Sequence, residues 1–455
     1  MKDFLLSFLQ KIGLDKSIAY SSGGNIIGAV TGVLVLFFIG GFLSEDEQGF
    51  YFTFNSIIAI QVFFDLGLTG IMTQYVAHEH AHLIWGENGI DLEGDPKYKS
   101  RLSSLLSFCV KWYGILAVVF LFALIVVGFF FFSHYDGDSG IGWKSPWILL
   151  CLGTAINLFL APIMAFITGL GKVKEVMRIR FYKVIIIPLI TCFGLLVGLR
   201  LYVLGIASLA TAIYNILQVS QTNLGKILKS IWKTDISERV SYMAEIFPYQ
   251  WKIALSWISG YFIFQLFNPV LFATEGPAVA GQMGMTLQIL NAINGLAMAW
   301  MNTKVPLYSR LIEMKDYLQL DLIFNRTLKQ VAIVCIVLLT IMFIGVVILH
   351  VTQFQVGNVV LYSRVLGEDA LILMMVALLA NMVVSSVATY LRCHKKEPLL
   401  VQSITMGVLT MLSTFLLGKA YGLYGITIGY CTLCTFVSLP WGIYLFRKYK
   451  KIWHQ

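Results

Sequence analysis

The chain consists of repeated apolar stretches of about twenty residues, and this feature limits its fold more than any other. A helix needs about 20 apolar residues to cross the hydrocarbon of a bilayer, because each residue advances it by ~1.5 Å. Of the 455 residues, 58% are apolar and only 13% are charged, whereas a soluble domain has about 25% charged residues. The sequence therefore predicts an all-α polytopic membrane protein.

Apolar runs between charge clusters and Pro or Gly breaks predict about twelve transmembrane helices. They lie near 18–43, 48–72, 105–133, 146–170, 181–199, 201–219, 247–272, 279–302, 330–351, 369–391, 399–418 and 423–446. The segment 1–17 carries Lys residues around a short apolar run and has no small-residue cleavage site after it. It predicts a cytoplasmic interfacial segment rather than a signal peptide.

The positive charges fall almost entirely on one side of this arrangement. Of the 33 Lys and Arg residues, 28 lie in segments that the twelve-span topology places in the cytoplasm, and four lie in the opposite loops. Cytoplasmic loops of membrane proteins carry such an excess. Both chain ends are therefore predicted to be cytoplasmic, in the inner membrane of a bacterium, and the basic composition gives no reason to expect nucleic acid as a partner.

The basic segment at the midpoint divides the predicted spans into six and six. We expect an N-lobe at 18–219, a cytoplasmic linker at 220–246, a C-lobe at 247–446 and a basic tail at 447–455. Residues 42–49 and 272–281 also have similar sequences, Phe-x-Ser-Glu and Phe-x-Thr-Glu followed by Gly, which suggests an internal repeat. Two lobes that enter the membrane from the same side predict a substrate site between them, near the midplane.

Polar side chains recur on one face of several predicted spans, where they are costly unless they meet protein or water. In the second span, for example, the polar residues from Tyr51 to Thr69 fall within an arc of about 120° at ~100° per residue. They indicate either a hydrated cavity or hydrogen bonds between helices. The cavity candidates are Asn25, Asn55, Gln61, Asp65, Lys252, Ser256, Tyr261, Gln265, Asn268, Gln282, Gln288, Asn291 and Asn294.

The seventh span changes its polar face at Ser259 and Gly260. The polar residues from Lys252 to Ser259 share one face, and those from Tyr261 to Asn268 lie nearly opposite. A straight helix would point one set at lipid, so the pattern predicts a bend or an unwound turn at Ser259 and Gly260. Such a hinge is common in helices that move during transport.

One motif suggests a different chemistry. His78-Glu79-His80-Ala81-His82 matches the H-E-x-x-H pattern, in which two histidines bind zinc and the glutamate is the base. The motif has no obvious third ligand and lies at a charged helix end. We therefore expect no metal and no disulfide, since the seven cysteines lie mostly inside apolar runs.

Several segments together resemble a known family of membrane transporters. They are Gly49-x-Tyr51, residues 61–68 (Gln-Val-Phe-Phe-Asp-Leu-Gly-Leu), Glu79-x-Ala81-x-Leu83, residues 247–253 (Phe-Pro-x-Gln-Trp-Lys-Ile) and residues 280–284 (Ala-Gly-Gln-Met-Gly). The chain resembles, over nearly its whole length, the Wzx-type polysaccharide flippases that export O-antigen repeat units. These belong to the multidrug/oligosaccharidyl-lipid/polysaccharide (MOP) superfamily, with the MATE exporters and the lipid II flippase.

The resemblance implies translocation of an undecaprenyl-diphosphate-linked oligosaccharide by alternating access, for biosynthesis of lipopolysaccharide or another surface polysaccharide. It implies membrane lipids, a polysaccharide polymerase and glycosyltransferases as partners, and no cofactor, with H⁺ or Na⁺ coupling left open. The nearest match to a cavity cation is Lys252, followed by Lys111 and Lys183. Amides and Asp65 stand in spans where the lipid II flippase has arginines, which argues against lipid II as the substrate.

Two other functions fit part of the sequence. A MATE-type drug exporter coupled to a cation needs acidic residues at membrane depth, and Asp65 is the one clear carboxylate there. A polysaccharide polymerase would need a large outward loop with catalytic residues, and every predicted outward loop is short. The sequence therefore favours a transporter over an enzyme.

Overall fold

The computed structural model describes residues 16–135, 140–356, 359–394 and 396–454. The predicted interfacial segment 1–17 lies almost entirely outside these ranges. The side chains of three candidate residues, Asn25, Lys252 and Ser256, are also outside the described part, although their backbones lie in helices.

The described chain is almost wholly helical, with two short antiparallel hairpins. Its first half contains α1 (Lys16–Phe42), α2 (Glu45–Ile58), α3 (Leu68–His80), β1 (Leu83–Trp85), β2 (Leu92–Gly94), α4 (Pro96–Tyr135), α5 (Lys144–Gly169), α6 (Val173–Leu196), α7 (Tyr202–Gln221) and α8 (Asn223–Trp232). Its second half contains α9 (Phe247–Phe264), α10 (Phe267–Glu275), α11 (Pro277–Glu313), α12 (Tyr317–Thr352), β3 (Gln355–Val356), β4 (Val359–Val360), α13 (Glu368–Arg392), α14 (Leu400–Thr432) and α15 (Leu439–Trp453).

The chain forms two compact units. Unit 1 comprises the described part of Met1–Phe38, with Ile58–His134 and Gly142–Trp257. In its core, Ile163 and Ile167 of α5 pack with Val176 and Ile179 of α6 and with Leu224 of α8. α8 is amphipathic: Leu224, Ile227 and Ile231 are buried, while its lysines are exposed. Unit 1 includes the whole of the predicted cytoplasmic linker, 220–246.

Unit 2 comprises Ile39–Ile57, the described part of Tyr135–Ile141, and Ile258–Gln455. Glycines allow its helices to approach closely. A Cβ added at Gly407 of α14 would lie 3.0 Å from the Cα of Ser259 in α9, and one added at Gly284 of α11 would overlap the ring of Phe52 in α2. The short segment 39–57 is thus packed into the C-terminal half of the chain.

Eight helices in the described residues are long and apolar enough to cross a membrane, or nine if α2 and α3 form one bent span. The protein is therefore a multi-pass membrane protein. Twelve spans remain a prediction, and the difference from nine has identifiable sources. In α1 only the segment Val30–Phe42 is recognised, as an apolar helix too short to be counted as a span. α11 does not pass as a span, and Leu400–Trp453 passes as one, although Gly422 breaks its helical geometry at φ 55°.

The second predicted span is broken, which the polar stripe did not predict. After α2 the chain forms a 3₁₀ turn, Ala59–Gln61, and a short helix, Val62–Asp65. Leu66 (φ 47°) and Gly67 (φ 71°) then adopt left-handed conformations, and the helices on either side differ in direction by 40°. The expected continuous stripe from Tyr51 to Thr69 on one straight helix is therefore wrong.

The expected break at Ser259 and Gly260 is also misplaced. α9 continues without interruption from Phe247 to Phe264, and the helical geometry stops at Gln265 and Leu266. Ser259 is buried against α14, a position that leaves little room for an unwound turn. The interruption instead precedes Asn268 and Pro269, where proline removes a backbone donor and disfavours helix in the preceding residue.

Candidate functional site

Asp65 is a buried carboxylate held by hydroxyl groups in unit 1. Its side chain is 7% exposed. One carboxylate oxygen, Oδ1, accepts hydrogen bonds from the hydroxyl of Tyr113, at 2.8 Å, and from that of Thr69. No Lys, Arg or His among the described side chains forms an ion pair with Asp65. A buried carboxylate with neutral donors alone is suited to binding a small cation or a proton.

The helix breaks directly after Asp65, at Leu66 and Gly67. Gly67 has the positive φ that a residue with a side chain adopts at a cost, and a Cβ there would lie 2.5 Å from the side chain of Ile253 in α9. Leu66 also adopts a left-handed conformation, which is uncommon for a bulky residue. The sequence identified Asp65 as a candidate but not Tyr113, because nothing in the sequence distinguishes Tyr113 from the other aromatic residues of its apolar run.

A second polar group lies in unit 2 around Ser56, which the sequence reasoning missed. Asn268 donates from Nδ2 to the Ser56 hydroxyl at 3.0 Å, and the Tyr261 hydroxyl donates to the Ser56 carbonyl at 3.4 Å. All three side chains are buried. Tyr261 and Asn268 therefore lie together, as predicted, and here they join helices, as the alternative interpretation of polar residues requires.

The two similar sequence segments lie against each other in unit 2. A Cβ on Gly281 would come 2.8 Å from the backbone N of Gly49. The buried Gln48 donates to the carbonyls of Gly281 and Arg364, both at 2.9 Å. Arg364 donates to the Leu43 carbonyl at 2.6 Å, and its Nε and Nη1 have no acceptor in the described structure. These contacts fasten segment 39–57 to the start of α11.

Gln282 of α11 contributes to the same group of contacts, because its Nε2 donates to the Ser363 carbonyl at 3.1 Å. Gln61 is half-buried in the 3₁₀ turn of unit 1, and Gln265 is half-buried where α9 stops. Asn55 is exposed and donates to the Tyr51 carbonyl one turn earlier, at 2.9 Å. The candidates therefore divide between helix junctions and exposed positions.

Three further candidates, Gln288, Asn291 and Asn294, lie on α11, and the first two belong to an exposed row of amide and small residues. We call this row the amide face of α11; it consists of Gln288, Asn291, Gly295, Ala299 and Asn302, all of them exposed. Steps of three and four residues place them on one side of a helix. Asn294 borders the row, and its buried Oδ1 has no donor in the described structure. Asn302 escaped prediction because it stands at the expected end of its span.

The H-E-x-x-H motif takes part in an ion-pair network. The carboxylate of Glu79 is buried and accepts from Arg101 Nε at 3.0 Å, and Arg101 Nη2 also donates to Glu245 at 2.7 Å. Burial raises the pKa of Glu245, but hydrogen bonds from Arg101 and from the Ser241 N–H lower it more. Within the described residues no group of three or more His, Cys, Asp or Glu side chains is arranged to hold a metal. Arg101 of α4 thus joins α3, through Glu79, to the linker, through Glu245.

No family model matches the sequence, and no curated protein matches it. Solved structures do. An inward-facing multidrug resistance MATE family transporter of the MOP superfamily has a TM-score of 0.63 and 14% identity, covering 93% of this chain and 96% of that one. The lipid II flippase MurJ has a TM-score of 0.54 and 11% identity, covering 96% and 90%. A MOP superfamily transporter from Pyrococcus furiosus has a TM-score of 0.53 and 14% identity, covering 96% of each chain.

These likenesses extend over nearly the whole length of each chain, at identities that establish a common fold alone. The structural neighbours are transporters and flippases. The chain has the fold of the MOP-superfamily transporters.

Proposed function

We propose that the protein is a flippase that moves an undecaprenyl-diphosphate-linked oligosaccharide across the inner membrane by alternating access. In this proposal the helices number twelve and both ends are cytoplasmic. The products would serve surface polysaccharide synthesis, with the polymerase and glycosyltransferases of that process as partners.

The amide face of α11 carries this proposal. An exposed side chain of a membrane-spanning helix meets either lipid or water, and amides in hydrocarbon would lose hydrogen bonds at a cost of several kcal/mol. We infer that this face meets water and cargo. Amides both donate and accept hydrogen bonds, as sugar hydroxyl groups do, and the small residues Gly295 and Ala299 leave room beside them.

Export of a cationic drug is the second candidate, and Asp65 is the observation that favours it. A carboxylate that lacks an ion pair in the described structure attracts a cation or a proton. We assign Asp65 to coupling rather than to the cargo, because the amide face itself contains no carboxylate. In a flippase it would bind H⁺ or Na⁺, and in a drug exporter it would bind the drug or its counter-ion.

The experiment places the purified protein in liposomes and compares two cargoes, a lipid-linked oligosaccharide and a cationic dye. We expect translocation of the lipid-linked oligosaccharide. The double substitution Gln288→Leu, Asn291→Leu should slow it roughly thirtyfold, since each lost hydrogen bond to cargo is worth about 1 kcal/mol. The double substitution Ile336→Leu, Ile344→Leu on the exposed face of α12 is the matched control and should retain the wild-type rate.

The two cargoes separate the candidate functions. Transport of the dye alone, lost in Asp65→Asn, would replace the flippase proposal with the drug-exporter proposal. Equal rates for the wild type and the α11 double variant would remove the amide face from the cargo path.

A further inference from the structure

A basic groove lies in unit 1, beside α4. Its volume is about 300 Å³, and it is lined by Ser104, Ser107, Phe108, Lys111, Trp112, Ile115, Ile236 and Arg239. Two cations and two hydroxyls stand beside apolar and aromatic side chains, and no carboxylate lines the groove. This combination is suited to an anionic group that is attached to an apolar chain.

The depth of the groove follows from the exposed residues of α4. A run of large exposed apolar side chains begins at Trp112 and ends at Phe130. At 1.5 Å per residue this run is about 27 Å long, close to the ~30 Å hydrocarbon thickness of a bilayer. Lys111 therefore lies at one end of the apolar run, where lipid headgroups begin, with Trp112 at the boundary that tryptophan prefers.

The linker supplies the other wall of the groove, and hydrogen bonds fix its position. The Ser100 hydroxyl accepts from the Glu238 backbone N at 2.8 Å and donates to the Glu238 carbonyl at 3.1 Å. The Ser103 hydroxyl donates to the Thr234 carbonyl at 2.9 Å. These bonds hold the segment that contains Ile236 and Arg239 against α4, so Arg239 lines the same groove as Lys111.

Both cations are available to a ligand. Within the described part of the chain, neither Lys111 nor Arg239 forms an ion pair, and both are exposed. Asp235 and Glu238 belong to the same linker segment but do not line the groove. Two positive charges that line one groove repel each other unless an anion lies between them.

We propose that this groove binds the phosphate of an acidic phospholipid. Lys111 and Arg239 neutralise the phosphate, and the hydroxyls of Ser104 and Ser107 donate hydrogen bonds to its oxygens. One acyl chain follows Trp112 and Ile115 into the apolar run of α4. The linker is thereby attached to the membrane surface as well as to α4, independently of the cargo that the protein transports.

The test titrates the purified full chain in neutral detergent with dihexanoyl-phosphatidylglycerol, dihexanoyl-phosphatidylcholine or geranyl diphosphate, and follows thermal unfolding. We expect phosphatidylglycerol to bind at least tenfold more tightly than phosphatidylcholine. Each Lys or Arg near an acidic lipid contributes about fivefold. Lys111→Gln with Arg239→Gln should therefore weaken phosphatidylglycerol binding about thirtyfold.

The matched control is Arg326→Gln with Lys329→Gln, which removes the same charges from exposed positions of α12; its affinity for phosphatidylglycerol should equal that of the wild type. The single change Arg239→Gln, on an exposed loop, serves as the second variant if the double variant fails to fold. Equal affinity for the two phospholipids, or no loss in Arg239→Gln, would overturn the proposal. Binding of geranyl diphosphate without phosphatidylglycerol would overturn it too, and would assign the groove to a diphosphate lipid.

Discussion

Two neighbouring long helices of unit 2, α11 and α12, expose opposite kinds of surface. α11 exposes the amide face, with Gln288 and Asn291 in its first half and Asn302 in its second half. From its middle to its end, α12 exposes branched apolar side chains: Ile333, Ile336, Val337, Ile341, Ile344, Ile348 and Val351. The two helices have nearly the same number of residues, 37 and 36, so length does not distinguish them.

This difference shows that an exposed side chain in a membrane protein can face either lipid or water. For α12 the exposed face has the composition of the hydrocarbon that surrounds it, as expected of a helix in contact with lipid. For α11 the exposed face has hydrogen-bonding groups that hydrocarbon cannot satisfy. A helix too polar to pass as a span can still belong to the membrane domain if that face is hydrated.

The largest expected effect is on the reactivity of introduced thiols. Asn291→Cys and Ile341→Cys are compared in a protein whose seven native cysteines have been replaced. Thiols react with maleimides as thiolates, and a thiol in hydrocarbon does not ionise. A water-soluble maleimide should label position 291 roughly a hundredfold faster than position 341. Equal labelling rates would show that both faces lie in the same medium, and the proposed difference between α11 and α12 would be wrong.

A charge placed on each face should have the next largest effect. Ile341→Lys puts an ammonium group near the middle of the apolar face of α12, and a Lys at a helix centre costs about 2.5–3.5 kcal/mol of insertion free energy. Ala299→Lys on the amide face should cost less than about 1 kcal/mol, because water solvates the charge. The measurement is the fraction of each variant that reaches the membrane, with Ile341→Leu as the control. Similar losses for both Lys variants would contradict a hydrated α11.

The sequence predicted more of the helices than of their breaks. Lipid-facing helices such as α4 and α12 follow from apolar length alone, because the bilayer imposes that length. The sequence did not predict the left-handed turn at Leu66 and Gly67. Gly67 lies against Ile253, and this contact joins parts of the chain that are distant in the sequence. The break expected at Gly260 was misplaced because the helical wheel does not record that Ser259 packs on Gly407.

The candidate residues show the same limit. Periodicity marked Asp65, Gln288 and Asn291 as polar groups of apolar segments, but it could not separate polar residues that join helices from those that are exposed. Asn268 belongs to the first kind because Ser56, far away in the sequence, supplies its partner. The distinction depends on which helix lies opposite, and a single sequence without its fold does not contain that information.

The smallest expected effect separates the packed side of α11 from its amide face by two glycines of the same helix. A Cβ at Gly284 would overlap the ring of Phe52, which is 5% exposed and has little room to move, so Gly284→Ala should lower the unfolding free energy by about 1–3 kcal/mol. A Cβ at Gly295 would meet no atom within 4 Å. Gly295→Ala should therefore be neutral, or stabilise the helix by up to about 1 kcal/mol.

Thermal unfolding of the two purified variants measures this difference. Transport by a third variant, Gly295→Leu, tests whether cargo passes through the open space beside Gly295. If the amide face only meets lipid, a leucine there fits well and both stability and transport stay at wild-type values. If cargo passes beside it, the side chain occupies the space between Asn291 and Ala299, so transport falls while unfolding does not change. Because a Cβ at position 295 meets no atom within 4 Å and unfolding is measured on the same variant, a loss of transport with unchanged stability would point to the cargo path rather than to damaged packing.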